Sequence, residues 1–381
     1  MLNNNELVQN ARGGTMPRRT FLRNSMMLAV PVVLGGVSLS AQAAYVPPTR
    51  THGTAIRNVK NYGAVGNGIH DDTAAFQAAI NSLPSTGGTV TVPSGTYLID
   101  PTKQIKLRSY MRLSMALDAT LKSKTTSATR SYILLLSGVT NVEVIGGRLI
   151  GDRDTHHYAS GSTSEWNHGI QIIGNSTHVT VRDLYVAKCA GDGVCIGGGA
   201  NDIVIANIIS TGNRRQGLSI TKSHGIKVYD SEFSYTKGTS PQCGIDIEPD
   251  GTSTAYDVWI QNCRLNNNAM YGINIWKRVS NVTLNACVIE RNGSCGAVTN
   301  YCSGIHFIGN TVRYNSATGI FIRDGSSGVS VTGSVSYGNY TRSGTQTRSP
   351  FTLTGWASKV ERDILIKGTV SSIGIQTNNY K

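Results

Sequence analysis

An all-β parallel β-helix, a solenoid of stacked turns preceded by one short α-helix, is the fold class this sequence predicts. Three observations carry it. A glycine followed by alternating apolar residues recurs at Gly169, Gly193, Gly217, Gly244, Gly272, Gly296 and Gly319, at intervals of 24, 24, 27, 28, 24 and 23 residues. A second alternating strand falls inside each interval, as in Val179-Thr180-Val181, Ile203-Val204-Ile205, Ile226-Lys227-Val228, Val258-Trp259-Ile260 and Val282-Thr283-Leu284. No helix-length apolar pattern separates these strands, which excludes a βαβ unit. One turn cannot bury its own apolar face, whereas stacked turns bury a continuous core. An ordinary β-sandwich does not account for the regular spacing. Glycine supplies 43 of 381 residues and charged residues only 15%, a composition that also argues against a helix bundle.

Each segment has its own reading. Residues 1–43 read as a twin-arginine signal peptide. Arg18-Arg19-Thr20-Phe21-Leu22 precedes a moderately apolar stretch from Met26 to Val37, and Ala41-Gln42-Ala43 is a small-residue exit. Met16 is an alternative start to Met1. The stretch is too short for a membrane span, which needs roughly 20 apolar residues. The expected destination is periplasmic or extracellular, reached through the twin-arginine export machinery as a folded chain. Residues 44–57, with Pro47-Pro48, read as a linker, and 58–381 as the β-helix catalytic domain.

The helix is expected over 72–83. Asp71-Asp72 offers an N-cap, Phe76, Ala79, Ile80 and Leu83 share one face, and Pro84 with Gly87-Gly88 stops it. It would cover the open N-terminal end of the solenoid. Thr89–Val92 and Gly95–Ile99 read as strand, turn, strand. At the far end, 341–350 reads as a polar loop, and Ile364-Leu365-Ile366 with Ile373-Gly374-Ile375 as the last turns.

Seven cysteines leave at least one unpaired, and most read as small buried residues. The register puts Ser231, Cys263, Cys287, Asn310 and Ser334 in one inward column. Cys263 and Cys287 then sit on neighbouring turns, as a disulfide or as two stacked thiols.

Alternation sorts the outer face. The first outward column is Gln171, Cys195, Ser219, Asp246, Asn274, Val298 and Phe321, and the second is Ile173, Gly197, Thr221, Glu248, Trp276, Asn300 and Arg323. The position before each glycine gives His168, Asp192, Gln216, Cys243, Tyr271, Cys295 and Thr318. Chemistry concentrates in the middle turns: Asp192, then Arg214, Arg215 and Gln216, then Asp246 and Glu248, then Tyr271, Asn274, Trp276 and Lys277, with Trp166 and His168 just upstream. A trough of paired acids and aromatic platforms suits an extended sugar chain; the alternative is a set of solvated outward side chains on a solenoid. The net charge is +13, and removing four arginines and one glutamate with residues 1–43 leaves +10. That favours an acidic polysaccharide as partner. No run of five basic residues exists, so no nucleic-acid arm is expected. His156-His157 reads as polar surface and no metal site is assigned.

The segment Asn61-Tyr62-Gly63-Ala64-Val65-Gly66-Asn67-Gly68, with Asp71-Asp72-Thr73-Ala74-Ala75-Phe76, resembles the pectate-lyase-like superfamily. So do Gly191-Asp192-Gly193, Asn213-Arg214-Arg215-Gln216-Gly217 and Gly244-Ile245-Asp246-Ile247-Glu248-Pro249. The resemblance covers roughly residues 58–370. It implies a right-handed, single-stranded parallel β-helix and a carbohydrate-active protein, monomeric or homotrimeric. The superfamily includes glycoside hydrolases, lyases, uronate epimerases and phage tailspike depolymerases. The polygalacturonase motifs Gly-His-Gly and Arg-Ile-Lys are absent, as is the Asp-Pro-His-Glu motif of alginate epimerases.

Three chemistries fit these residues. Hydrolysis places Asp246, Glu248 and Asp192 as the catalytic carboxylates. Asp246 and Glu248 lie about 6.5–7 Å apart along one strand, and Asp192 and Asp246 about 9–10 Å apart across two turns, both within the range of inverting glycosidases. Elimination from a uronate would use Arg214, Arg215 or Lys277 to neutralise the carboxylate, or calcium held by Asp192, Asp246 and Glu248, with Tyr271 or His168 as base. Epimerisation shares those early steps. Hydrolysis requires no cofactor and is slightly favoured because paired acids are the most specific feature. A non-catalytic glycan-binding solenoid would need Trp166, Tyr271 and Trp276 but not the acids.

Overall fold

The computed structural model describes residues 45–162, 164–339 and 363–376. The signal-peptide residues 1–43, the start at Met16 and the polar loop 341–350 lie outside them. The described chain is a right-handed parallel β-helix. One turn is made of Gln216–Ile220, Ser223–Tyr229 and Glu232–Ser234, which lie in three walls. Each pairs in parallel with its counterpart in the next turn: Cys243–Ile247, Ala255–Gln261 and Arg264–Asn266. In Ile273–Asn285 and Ala297–Ile308 the first two walls join into one long bent strand. The expected last strands are present, Ile364–Ile366 on Ile320–Ile322 and Ser371–Gln376 on Ser327–Thr332.

Burial follows the alternation. Ile170, Val194, Leu218, Ile245, Ile273 and Ile320 of the first wall are fully buried, as are Val179, Ile203, Ile226 and Val282 of the second and Leu149, Val186, Phe233, Leu265 and Ile289 of the third. Burying one such side chain contributes about 1.5–3 kcal/mol, so the core of stacked columns drives folding. No helix among the described residues is long and apolar enough to cross a membrane.

Polar ladders close the corners. Asn268, Asn292, Asn315 and Asn339 are buried after the third wall. The Oδ1 of Asn292, Asn315 and Asn339 accepts from the backbone N–H of the preceding asparagine at 3.0–3.1 Å. Each Nδ2 donates to a third-wall carbonyl, of Phe233, Leu265, Ile289 and Val312 in turn. These bonds satisfy backbone groups that a buried turn would otherwise strand. The second inward column is as expected: Ser231, Cys263, Cys287, Asn310 and Ser334 are all buried. Of the two alternatives for its thiols, stacking is the one found. Cys263 and Cys287 are free, their Sγ atoms 3.2 and 3.4 Å from the carbonyls of Gln261 and Asn285.

The capping helix spans Thr73–Asn81, shorter than the expected 72–83; Phe76, Ala79 and Ile80 are on its buried face, and Leu83 is buried just past its end. Its cap differs from expectation. Asp72 holds the N-cap position, but its carboxylate turns back to accept from the N–H groups of Val65 and Gly66 at 2.7 and 3.0 Å. Asp71 instead accepts from Thr73 N–H at 3.1 Å.

Residues 45–57, the described part of the expected linker, are docked on the solenoid. Ala55–Asn58 pairs in parallel with Gly88–Val92. Arg50 is buried against the second wall, bound to Asp202 at 2.8 Å and to Thr180 at 2.9 Å, and its N–H donates to Glu143 at 2.8 Å. Tyr45 stacks on Tyr229 with ring centroids 3.6 Å apart. The two prolines suit an extended strap lying across several turns, which needs no ladder donors of its own there.

Candidate functional site

The first wall aligns the outward residues as the register requires. Gln171 pairs with Cys195, Cys195 with Ser219, Ser219 with Asp246, and Asp246 with Asn274. A cavity of about 390 Å³ opens over these turns, lined by Trp166, His168, Asp192, Arg215, Asp246 and Glu248, together with Glu165, Cys195, Ser219, Thr221, Ser240, Pro241 and Asp250.

Asp246 forms its floor and is 3% exposed. Gln216 Nε2 donates to one carboxylate oxygen and Asn274 Nδ2 to the other, each at 2.8 Å. Burial pushes its pKa up to about 7, against the pull of Arg215 and the Asn274 hydrogen bond. Glu248 stands two positions further along the same strand direction, half-buried, with no side-chain hydrogen bond among the described residues. Burial raises its pKa as well, opposed by Arg215 and Lys277.

Asp192 is fully buried and carries the cation of the site. Its Oδ2 accepts from Ser219 Oγ at 2.8 Å and from Arg215 Nη1 at 3.2 Å. Arg215 Nη2 reaches Glu165 at 3.1 Å, so the guanidinium is fixed between two acids, with its Nε unpartnered among the described residues. His168 Nδ1 accepts the Asp192 N–H at 3.1 Å, which places the proton of the neutral ring on Nε2. Burial lowers its pKa to about 4. That buried Nε2–H has no partner among the described residues and is free to donate to a ligand.

Other expected residues take different positions. Arg214 turns away from the cavity: its guanidinium donates to the carbonyls of Ser164 and Ser162 at 2.6 and 2.9 Å and lies 4.3 Å from the Tyr158 ring centre. It holds the loop that delivers Glu165 rather than a substrate. Gln216 and Asn274 act beneath the surface, positioning Asp246. Gln216 Oε1 also accepts from Cys243 N–H at 2.9 Å. Tyr271, Trp276 and Lys277 lie on the next turn, outside the cavity lining. The Trp276 ring is flanked by Arg323 at 5.2 Å. Trp166 stands at the rim, with Arg130 at 4.7 Å from its ring.

The carboxylates do not make an oxygen cage for calcium, because Arg215 occupies Asp192 and amide donors occupy both oxygens of Asp246. His168, Asp192 and Cys195 have ligand-type atoms within 4.8 Å of one another. The His168 Nδ1 lone pair is already used, and burial pushes the Cys195 thiol well up, so this trio is poorly suited to a cation.

Ser240, Pro241 and Asp250 are not singled out by the sequence pattern. They sit on the loops of the two turns whose glycine spacings are longest, 27 and 28 residues, and that excess length was the available signal.

The fold has counterparts among known proteins. Residues 56–269 match the family model described as rhamnogalacturonase A/epimerase, pectate lyase-like, and residues 242–355 match the right-handed beta helix region. An uncharacterized protein of Bacillus subtilis, YclG, is 29% identical over 273 residues, covering 64% of this chain and 46% of its own length. The chain spans about half the length of the curated relatives it matches over most of its own sequence. The mannuronan C5-epimerase AlgE1 of Azotobacter vinelandii is 54% identical over 43 residues, which is 11% of this chain and 3% of that protein. Among solved structures, the A-module of the Azotobacter vinelandii mannuronan C-5 epimerase AlgE6 superposes with a TM-score of 0.58 at 18% identity, covering 85% of this chain and 96% of that one.

Proposed function

The chain belongs to the rhamnogalacturonase A/epimerase, pectate lyase-like family, and on that premise we propose that it is an exported enzyme that hydrolyses glycosidic bonds in an acidic polysaccharide. One observation carries the reading. Two carboxyl groups of unlike environment face one cavity, Asp246 sealed below on the strand Cys243–Ile247 and Glu248 half-open just past its end. Asp246, with a pKa near 7, keeps its proton in mildly acidic to neutral solution and serves as general acid to the leaving oxygen. Glu248 is the more exposed group and serves as the base that activates water. A spacing of two strand residues, about 6.5–7 Å, leaves room for that water and implies inversion. Arg215, held by Asp192 and Glu165, and His168 Nε2–H are the donors that receive the substrate, with a uronate carboxylate facing the guanidinium.

A second reading rests on Arg215 and on the short stretch shared with mannuronan C5-epimerases. A fixed guanidinium opposite a uronate carboxylate supports abstraction of the neighbouring proton, which leads to elimination or to epimerisation. In either reading the chain reaches the periplasm or the exterior by the twin-arginine route; hydrolysis calls for no cofactor, and calcium belongs only to the elimination reading.

The test is incubation of the processed protein with polyuronates, following reducing ends, the ultraviolet absorbance of unsaturated uronates, and the proton spectrum of the polymer. New reducing ends without absorbance support hydrolysis. Absorbance growth would replace it with elimination, and a changed uronate composition at constant length with epimerisation. Binding without any of the three would leave a glycan-binding solenoid.

A further inference from the structure

A second cavity, of about 760 Å³, lies on the third wall near the N-terminal end. Its floor is one outward column that crosses four turns: Leu98, Lys122, Ile150 and Ala187 are successive cross-strand partners. In the neighbouring column Arg148 pairs with Tyr185, and its guanidinium lies 4.4 Å from that ring's centre. The result is a strip parallel to the solenoid axis, aliphatic at Leu98, Ile150 and Ala187, with the Lys122 stem rising between them and Arg148 along its edge.

The charge there is unbalanced. Asp154 is matched by Lys188 at 2.6 Å. Asp152 is occupied by His156 Nδ1 at 2.8 Å and by Thr126 N–H at 3.0 Å. Lys124 is engaged by Asp71 at 3.1 Å. Lys122 and Arg148 are exposed, and neither side chain has a carboxylate partner among the described residues. Two unmatched cations therefore sit among and beside the aliphatic carbons of Leu98, Ile150 and Ala187.

We propose that this cleft, formed by Lys122, Arg148, Tyr185 and the Leu98–Ile150–Ala187 floor, is a second, non-catalytic binding site for a stretch of acidic polysaccharide. The turns repeat at about 4.8 Å, close to the advance of one sugar unit. Sugar rings lie with their apolar faces on the strip, and their carboxylates meet Lys122 and the guanidinium of Arg148, which Tyr185 keeps flat. A nucleic acid is disfavoured because the only aromatic face in the lining is already covered by Arg148. The net charge of +10 outside residues 1–43 favours a polyanion as occupant. The ligand's identity rests on the acidic substrate proposed above; the cleft itself does not depend on cleavage.

The experiment measures binding of the full-length processed protein carrying Asp246→Asn to immobilised polygalacturonate and polymannuronate over a range of salt. The same background then carries Lys122→Glu with Arg148→Glu, and separately Lys122→Gln with Arg148→Gln. Both double variants should bind at least one polymer roughly tenfold more weakly, with a shallower salt dependence and an unchanged melting temperature in the glutamine pair. Undiminished affinity in both would overturn the proposal, as would equal weakening toward a carboxyl-reduced polymer, no binding by the parent, or tighter binding to a single-stranded oligonucleotide. Turnover by the unmutated protein is read separately, so loss of the cleft and loss of the cleavage reading are told apart.

Discussion

A side chain on Gly272 would begin 2.9 Å from Asn292 Nδ2, the amide that closes the following corner of the solenoid. The relationship repeats. Gly244 stands in the same way to Asn268, Gly296 to Asn315 and Gly319 to Asn339, at 2.7–2.8 Å. None of these glycines has a left-handed backbone, so the requirement is space and not conformational freedom. At these four positions a ladder asparagine and the backbone carbonyl of the next turn occupy the place where a Cβ would go; at Gly169 and Gly217 the next carbonyl is joined instead by Val186 with Cys189 and by Phe233.

Gly272→Ala should therefore destabilise the protein although alanine is the smallest change available. The new carbon would also lie 2.5 Å from Ile289 Cγ2 and 2.7 Å from Gly296 O, and backbone cannot yield as a side-chain tip can. A loss of about 1–3 kcal/mol is expected. The urea midpoint measures it, and an unmoved midpoint would show that the turns can spread without cost.

Replacing either carboxyl group of the cavity should stop cleavage while leaving the fold intact. Asp246→Asn keeps one acceptor oxygen for Gln216 and sets its new NH2 against Asn274, which restores the bond by turning over its amide to present the unpartnered Oδ1; Glu248 makes no side-chain hydrogen bond among the described residues for Glu248→Gln to remove. Each should lower the rate by roughly 10²–10⁴-fold. The pH profile of the unmutated enzyme should be a bell. Its alkaline limb falls as Asp246 loses its proton near pH 7, and its acid limb falls as Glu248 takes one up, above the ordinary glutamate value of 4.5. Steady-state rates across pH on the preferred polymer test both limbs, and a profile flat through neutrality would remove Asp246 as the acid.

The two buried groups of the site should load stability with opposite pH dependence. Asp246 has a native pKa near 7, against an ordinary aspartate value of 3.8 that the unfolded chain would show. The native state then holds the proton more tightly, and stability present below pH 4 is lost as pH rises to 7. His168 is held near 4 against an ordinary 6.5. There the unfolded chain binds the proton first, and stability present above pH 6.5 is lost as pH falls to 4. The full amplitudes are on the order of 4 and 3 kcal/mol, so the slopes offset between these limits. Asp246→Asn should be more stable than the parent above pH 7 and leave a curve that weakens in acid; His168→Gln should leave one that weakens toward neutrality. Denaturation curves at several pH values check it, and parallel curves for all three proteins would refute the assignment.

The solenoid was legible because its period is written in residues that nothing else would repeat. The outward column from Gln171 to Phe321 follows from alternation and matches the observed pairing throughout. The site was legible only by column. The sequence places Arg214 and Arg215 side by side, yet alternation alone does not say which enters the cavity. The answer depends on the carbonyls of Ser162 and Ser164, about two turns back, which capture Arg214. Gln216 and Asn274 read as sugar-binding because they face outward, but they are spent on Asp246. Asn268, Asn292, Asn315 and Asn339 recur at intervals of 24, 23 and 24 residues, but an asparagine in a polar stretch has the look of an ordinary turn residue and carries no signal of a buried ladder.

The strap at residues 45–58 was the least legible part, since Pro47-Pro48-Thr49 has the composition of a linker. Its anchor is Arg50, 7% exposed, whose guanidinium bridges Asp202, Thr180 and the Val179 carbonyl on neighbouring turns of the second wall. Arg50→Ala would leave those acceptors without their donor, and Asp202 would keep only exposed surroundings and His178 at 3.7 Å. Glu143 would retain Arg112 and the backbone N–H of residue 50, so the damage should be local. A loss of about 1–3 kcal/mol is expected, smaller at high salt because Asp202 is partly open to solvent. Limited proteolysis offers the sharper test. Cleavage within 45–54 should become fast in Arg50→Ala while cleavage elsewhere stays slow, and equal resistance in both proteins would mean that the Tyr45–Tyr229 stack and the Ala55–Asn58 pairing hold the strap unaided.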